Sequence, residues 1–225
     1  MTMPFQGRFA KIKNRAFTLI ELIVTIAIFA LMTALIMARY GSFDQGTLLT
    51  SLAYDIALTV RTAQTYGVSV KTTQLSANDF SSGYGVEFDL SSPQQFVLYS
   101  DASAGERFSN FVDVNAGDIV STYNIKRGAR ITAICVANST QKRCTTDQSA
   151  QGYSWYSGYV IDATLSKIDI EFVRPNPDPL IYRVESATQL DGPYTDVKII
   201  VQSADDGGQR VIDINQTGQI SVGLN

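Results

Sequence analysis

The longest hydrophobic run lies near the start of the chain, where residues 17–38, FTLIELIVTIAIFALMTALIMA, are interrupted only by Thr18, Glu21, Thr25 and Thr33. At about 1.5 Å per residue this run makes a helix about 33 Å long, enough to cross a hydrocarbon core of about 30 Å. Gly41 and Gly46 then flank a polar patch, after which helical periodicity resumes at Leu48, Leu52, Ile56 and Val60, with Leu49, Ala53, Ala57 and Ala63 beside them. Gly67 reads as a C-terminal stop. The pattern predicts one helix over residues 17–66, its first half suited to a membrane and its second half amphipathic. No proline stands between Pro4 and Pro93, so any local melting of that helix falls to Gly41 and Gly46.

Beyond residue 67 the pattern changes to short apolar runs separated by turn residues. Strands are predicted at residues 85–90, 96–99, 119–125, 129–136, 159–163, 167–173, 181–184, 197–202, 210–215 and 219–222. Ser91-Ser92-Pro93, Asp205-Asp206-Gly207-Gly208 and Gln216-Thr217-Gly218 have the chemistry of turns. The PNPDP run at 175–179 cannot occupy a central strand and is read as an exposed loop. The fold class is therefore α+β: a long N-terminal helix, with a membrane half and an amphipathic half, packed on an antiparallel β head at residues 67–225.

Charge adds direction. Arg8, Lys11, Lys13 and Arg15 lie in the first sixteen residues with no acidic residue among them, while the chain as a whole carries −3. Everything from Phe17 onward is thus acidic, at a formal −7. The basic end belongs in the cytoplasm by the positive-inside rule, which puts the head outside. The acidic remainder argues against nucleic acid as a partner, since such binding is driven by Lys and Arg neutralising phosphates. Cys135 and Cys144 stand nine positions apart around the polar loop VANSTQKR. In an exported chain they read as a disulfide; in a reducing compartment they are two thiols packed as small hydrophobes.

Three readings fit the apolar run: a cleaved signal peptide, a plain anchor, or a segment cut on its cytoplasmic side and retained. The run is long for a signal peptide, and Arg-Tyr-Gly-Ser-Phe-Asp at 39–44 shows no Ala-x-Ala pattern. A plain anchor leaves Glu21 unexplained, because a carboxylate costs about 2.5–3.5 kcal/mol at the centre of a membrane helix, though less near its end.

Arg15-Ala16-Phe17-Thr18-Leu19-Ile20-Glu21-Leu22-Ile23 resembles the processing and methylation signal of type IV prepilins and type II secretion pseudopilins. The resemblance implies a leader at 1–16, a prepilin peptidase cut between Ala16 and Phe17, and methylation of the new amine of Phe17. It further implies that Glu21 pairs with the N-terminus of a neighbouring subunit during assembly. The family usually has Gly before the cut, where this chain has another small residue, Ala16. A looser resemblance links LAYDIALTVRTAQTYGVSVK at 52–71 and the closing strand, Thr217-Gly218, strand pattern to the H-type minor pseudopilins, whose heads are two antiparallel sheets packed on the helix. The partners so implied are other pilin or pseudopilin subunits, the prepilin peptidase, a membrane assembly platform and membrane lipid. The implied location is the inner membrane, single-pass, with a surface or periplasmic filament after assembly.

No catalytic constellation accompanies these features. The chain has no histidine, which excludes Ser-His-Asp and Cys-His catalysis, and it has no phosphate-cradling Gly-rich loop. An enzyme, a cofactor and a transition metal are not predicted. Asp101-x-Ser103-x-Gly105-Glu106 and Asp113-x-Asn115-x-Gly117-Asp118 have oxygen ligands at loop spacing but miss the full calcium pattern. The sequons at Asn138 and Asn215 arise at this frequency by chance. Lys126, Arg127, Arg130, Lys142 and Arg143 are candidates for one basic patch, or for solvated turns. The alternative to a filament subunit is a single-pass membrane protein whose head binds a ligand or partner without polymerising.

Overall fold

The computed structural model describes residues 17–69, 83–101, 119–146, 156–186, 189–204 and 208–224. Its elements are α1 (Leu19–Val68), β1 (Gly83–Asp89), β2 (Gln95–Asp101), β3 (Ile119–Asn124), β4 (Arg130–Ala137), β5 (Lys142–Cys144), β6 (Val160–Ile161), β7 (Lys167–Phe172), β8 (Pro179–Ser186), β9 (Gln189–Tyr194), β10 (Asp196–Gln202), β11 (Gln209–Asn215) and β12 (Ile220–Leu224). The chain divides into two units, Met1–Gly41 and Ser42–Asn225, each taken here by itself.

In the first unit the helix starts at Leu19, two residues later than the pattern predicts, because Thr18 is its cap. The Glu21 N–H donates to Thr18 Oγ1 over 3.3 Å, meeting one of the donors that a helix start leaves open. All residues from 17 to 37 are exposed. The hydroxyls of Thr25 and Thr33 donate back to the carbonyls of Leu22 (2.9 Å) and Phe29 (2.8 Å), so neither needs a partner from outside the helix.

In the second unit α1 buries a single stripe, Leu49, Ala53, Ile56, Val60 and Ala63, spaced four, three, four and three residues apart. Two six-stranded sheets share one hydrophobic core with it. Their orders are β3-β2-β1-β7-β8-β9 and β12-β11-β10-β4-β5-β6. The first sheet contributes Val86, Phe88, Phe96, Leu98, Ile168, Ile170 and Phe172, and the second Ile134, Val136, Val197, Ile199, Ile212 and Ile214. Each such side chain gains roughly 1.5–3 kcal/mol on burial, so the stripe and the sheets hold each other in place.

The second sheet is covered on its other face too. Ala133, Cys135, Cys144, Ile200 and Val211 form a smaller cluster beneath Tyr156, with Tyr159 against it. That is why β4 and β10 are apolar on both faces: Ile131, Ile134, Val136, Val197, Ile199 and Val201 face the larger core, while Ala133, Cys135 and Ile200 face the smaller cluster. The closing hairpin turns at Asn215, whose side-chain oxygen accepts from the N–H groups of Thr217 and Gln219, both at 3.1 Å. Gly218 follows with φ of 74°, a left-handed conformation that favours glycine.

Several expectations are corrected. α1 includes Gly41 and Gly46, as the predicted helix over 17–66 does, but it runs past Gly67 to Val68. Gly67 is not a stop: it is buried, and a Cβ there would run into the backbone carbonyl of Phe172, so its role is close approach of helix to sheet. The head is antiparallel as expected, with β5 to β6 the one parallel pairing among the described strands, and the strand predicted at 159–163 shrinks to Val160–Ile161. Pro179 of the PNPDP loop opens β8. Two strands lay outside the prediction. β5 reads Lys-Arg-Cys, too short and charged to stand out, and β9 carries Gly192-Pro193, tolerated because β9 is an edge strand.

Candidate functional site

The features that point to function are the apolar helix of the first unit and the disulfide-bridged region of the head. Leu19–Met37 has a mean hydropathy of 2.6 and no part of it is buried within the chain. Glu21 is the one ionisable side chain between residues 17 and 37, in the first turn of α1. A carboxyl group in an apolar helix has to be covered by lipid or by a partner. Phe17, the first described residue, is 75% exposed. Ala16 and the basic residues before it lie outside the described residues, so the structure describes one side of the predicted cut.

In the head, Cys135 of β4 and Cys144 of β5 are direct cross-strand partners and are joined as a disulfide. Both are buried in the cluster under Tyr156. Next to them an ion cluster ties the two sheets together. Asp162 Oδ2 lies 3.0 Å from Arg143 Nη1 of β5 and 3.1 Å from Arg183 Nη1 of β8. Asp191 of β9 is the cross-strand partner of Arg183 and accepts a 2.6 Å hydrogen bond from the Tyr194 hydroxyl. The hydroxyl of Thr164 and the Arg143 guanidinium hold the Asp162 carboxyl below its ordinary range. Burial, and then the bond to Asp191, pushes Tyr194 up to about 12. Arg183 is 4% exposed while Arg143 and Asp191 are 32% and 40% exposed, so the clasp is buried at Arg183 and opens to solvent at its other end.

The clasp was not legible in the sequence, since its members are scattered between positions 143 and 194 and only strand register brings them together. A second missed feature left a clearer trace. Lys167, Asp169 and Glu171 alternate with Ile168, Ile170 and Phe172, which reads as a solvated face; yet Asp169 and Glu171 are each 2% exposed. Glu87 lies across from Asp169 in register and pairs with Lys167 at 2.8 Å. One oxygen of Asp169 has no hydrogen-bond partner. Burial, and then the nearby Glu87, raises the Asp169 carboxyl well above its ordinary range.

The five basic residues do not form one patch. Lys126, Arg127 and Arg130 sit at the start of β4, while Lys142 and Arg143 pair with Ala137 and Val136 at its end, about 20 Å away at 3.3 Å per residue. Arg143 is in addition held by Asp162. The candidate calcium loops lie outside the described residues except for Asp101, which ends β2. Among the described residues no group of three or more His, Cys, Asp or Glu is placed to hold a metal ion. Asn138 and Asn215, the sequon asparagines, both use their side-chain oxygens to close turns.

Residues 11–37 match the family model described as the prokaryotic N-terminal methylation motif. Neither a curated protein nor a solved structure matches the chain. The matched segment ends where the apolar span ends, at residue 37, and contains both Phe17 and Glu21. Over residues 11–37 the chain thus carries a prokaryotic N-terminal methylation motif that leads into one long apolar helix, and it continues into a helix-backed β head.

Proposed function

We propose that the chain is made as a membrane-inserted precursor, cut between Ala16 and Phe17, methylated on the new amine, and polymerised through its N-terminal helix into an extracytoplasmic filament. One observation carries this reading. The first-unit helix is exposed on all sides, apolar throughout, and holds a single carboxylate at Glu21. Lipid acyl chains can cover the apolar residues, but the hydrocarbon they form supplies no cation. An amine at Phe17 of a neighbouring copy does, and a buried carboxylate becomes tolerable when it meets a buried cation. The two-sheet head and its closing hairpin at Thr217-Gly218 support the narrower reading as a minor subunit of the H-type, which primes a secretion or pilus machine.

N-terminal mass spectrometry of the chain isolated from its own membranes tests the processing step. The expected result is a mature chain that starts at a methylated Phe17. An intact leader leaves a plain single-pass anchor and a start beyond Ala38 leaves a cleaved signal peptide; either result removes the reading.

A further inference from the structure

The first sheet carries a charged row where its two central strands meet. In β1 and β7, Gly85, Glu87 and Asp89 stand opposite Glu171, Asp169 and Lys167. Val86, Phe88, Ile168, Ile170 and Phe172 belong to the core, so these six positions alternate onto the other face of the sheet. The middle of that face is shut off from solvent: Asp169 and Glu171 are buried, and the Glu87 side chain is 12% exposed. Two glycines of β1 make room for this. A Cβ at Gly83 would fall on Oε1 of Glu171, and one at Gly85 would fall on the Tyr99 ring, so the carboxyl and the phenol lie over the bare backbone of β1.

Charge does not balance along the row. Lys167 is the one cation in β1 and β7, and its Nζ pairs with Glu87 at 2.8 Å. Asp169 stands between Glu87 across the strand pair and Glu171 two positions along its own strand, and one of its oxygens has no hydrogen-bond partner. Its register partner on the other side, in β8, is the phenol Tyr182. A carboxylate removed from water without a cation of its own, beside two further carboxylates, is less stable than the same group holding a proton. Burial and then Glu87 raise the Asp169 carboxyl accordingly.

We propose that this row is a proton lock on the β1–β7 pair: a proton held on Asp169 keeps the two central strands of the first sheet closed, and its release is coupled to their opening. Opening hydrates Asp169 and lets the proton go, whereas closing without it leaves three carboxylates charged together out of water. The described groups that face Asp169 are Glu87 and Asp89 of β1, Lys167 and Glu171 of β7 and Tyr182 of β8, with Tyr99 of β2 over Gly85; Lys167 alone favours the charged form. Since the closed pair binds the proton and the open pair releases it, the pair is tightest in acid and loosens as pH rises. The lock is a property of the head and holds whether or not the chain polymerises.

Hydrogen exchange of the detergent-solubilised full-length chain, read by mass spectrometry on peptides of β1 and β7 and corrected for the pH dependence of intrinsic exchange, tests this. One proton released per opening makes the opening constant rise about tenfold for each pH unit above about 4, until the folded value of Asp169 is passed and the curve levels. Asp169→Asn keeps the shape of the side chain without its titration and should remove that tenfold step. Other groups that titrate, such as Asp196, act on both chains alike and cancel in the comparison. Glu87→Gln removes a like charge and leaves Lys167 to Asp169, so its curve should level at a lower pH than that of the wild type. An infrared difference between wild type and Asp169→Asn at about pH 6, where ordinary carboxyls are ionised, should show the carbonyl band of a protonated carboxyl in the wild type alone. Equal slopes in wild type and Asp169→Asn, or a carboxylate band in place of the carboxyl band, overturn the lock. If Asp169→Asn does not fold, Glu87→Gln decides: a curve that levels where the wild type does overturns it as well.

Discussion

The helix α1 is two different objects along its length. Between Leu19 and Met37 no residue is buried by the rest of the chain, although the hydropathy there is the highest in the molecule's only long helix among the described residues. Between Leu49 and Ala63 the same kind of backbone buries one stripe and leaves Ser51, Asp55 and Arg61 in solvent. A striped helix finds its partner within its own chain, whereas a helix that is apolar all round has to find it elsewhere, in lipid or in other copies. The contrast separates the half of α1 that folds the head from the half that needs cover from outside its own chain.

The sharpest way to break that contrast is at Glu21. In a lone anchor Glu21→Ala leaves insertion intact, but in a filament it strands the amine of a neighbouring Phe17. Loss of a buried pair costs about 3–5 kcal/mol, a factor of 10² or more in association. The variant should accumulate in the membrane and fail in competition with wild type for entry into sheared filaments; equal incorporation would favour the plain anchor.

Paired truncations probe the two halves directly. Ile56→Ala removes a side chain that is buried to 0% exposure in the head and should lower its unfolding free energy by about 2–5 kcal/mol, measured by chemical denaturation of the detergent-solubilised chain. Ile28→Ala, at 53% exposure in the first unit, should leave that transition in place. Replacing Cys135 and Cys144 together by serine should cost the head about 2–3 kcal/mol and leave membrane insertion unaffected.

The smallest expected effect concerns pH. Asp169 and Asp196 both have carboxyls raised in the fold, Asp169 by burial and then Glu87, and Asp196 to about 6 by burial and then its hydrogen bond with Asp213. The unfolded chain therefore gives up protons that the fold retains, and stability falls as pH rises from about 4, with the share of Asp196 developing up to about 6. Glu87, Asp89 and Glu171 oppose the charge on Asp169, and Lys167 favours it. Asp169→Asn should flatten the decline; an unchanged slope would show that the carboxyl ionises freely in the fold.

Much of this was readable from pattern alone. The stripe on α1 was visible because apolar residues recur at helical spacing, and most strands were visible because turn residues bracket them. Short or irregular strands were not: Lys-Arg-Cys in β5 has no pattern of its own and exists because β4 lies beside it. β9 holds Gly192 and Pro193 because an edge strand can lack a donor. Gly67 was visible as a glycine but not for its reason, which is the backbone of Phe172 more than a hundred positions away.

What the sequence by itself determined was therefore local: a basic N-terminal stretch, an apolar helix long enough to span a membrane and holding one carboxylate, the Phe17 to Glu21 spacing, a head built of strands, and the absence of histidine. Each of these depends on neighbours within one or two turns of chain, where spacing is chemistry. The tertiary structure alone decided the burial of Asp169, the clasp of Arg143, Asp162, Arg183 and Asp191, and the separation of the basic residues to opposite ends of β4. Those features arise from register between strands distant in sequence, and register is set by the shared core, which no local pattern records.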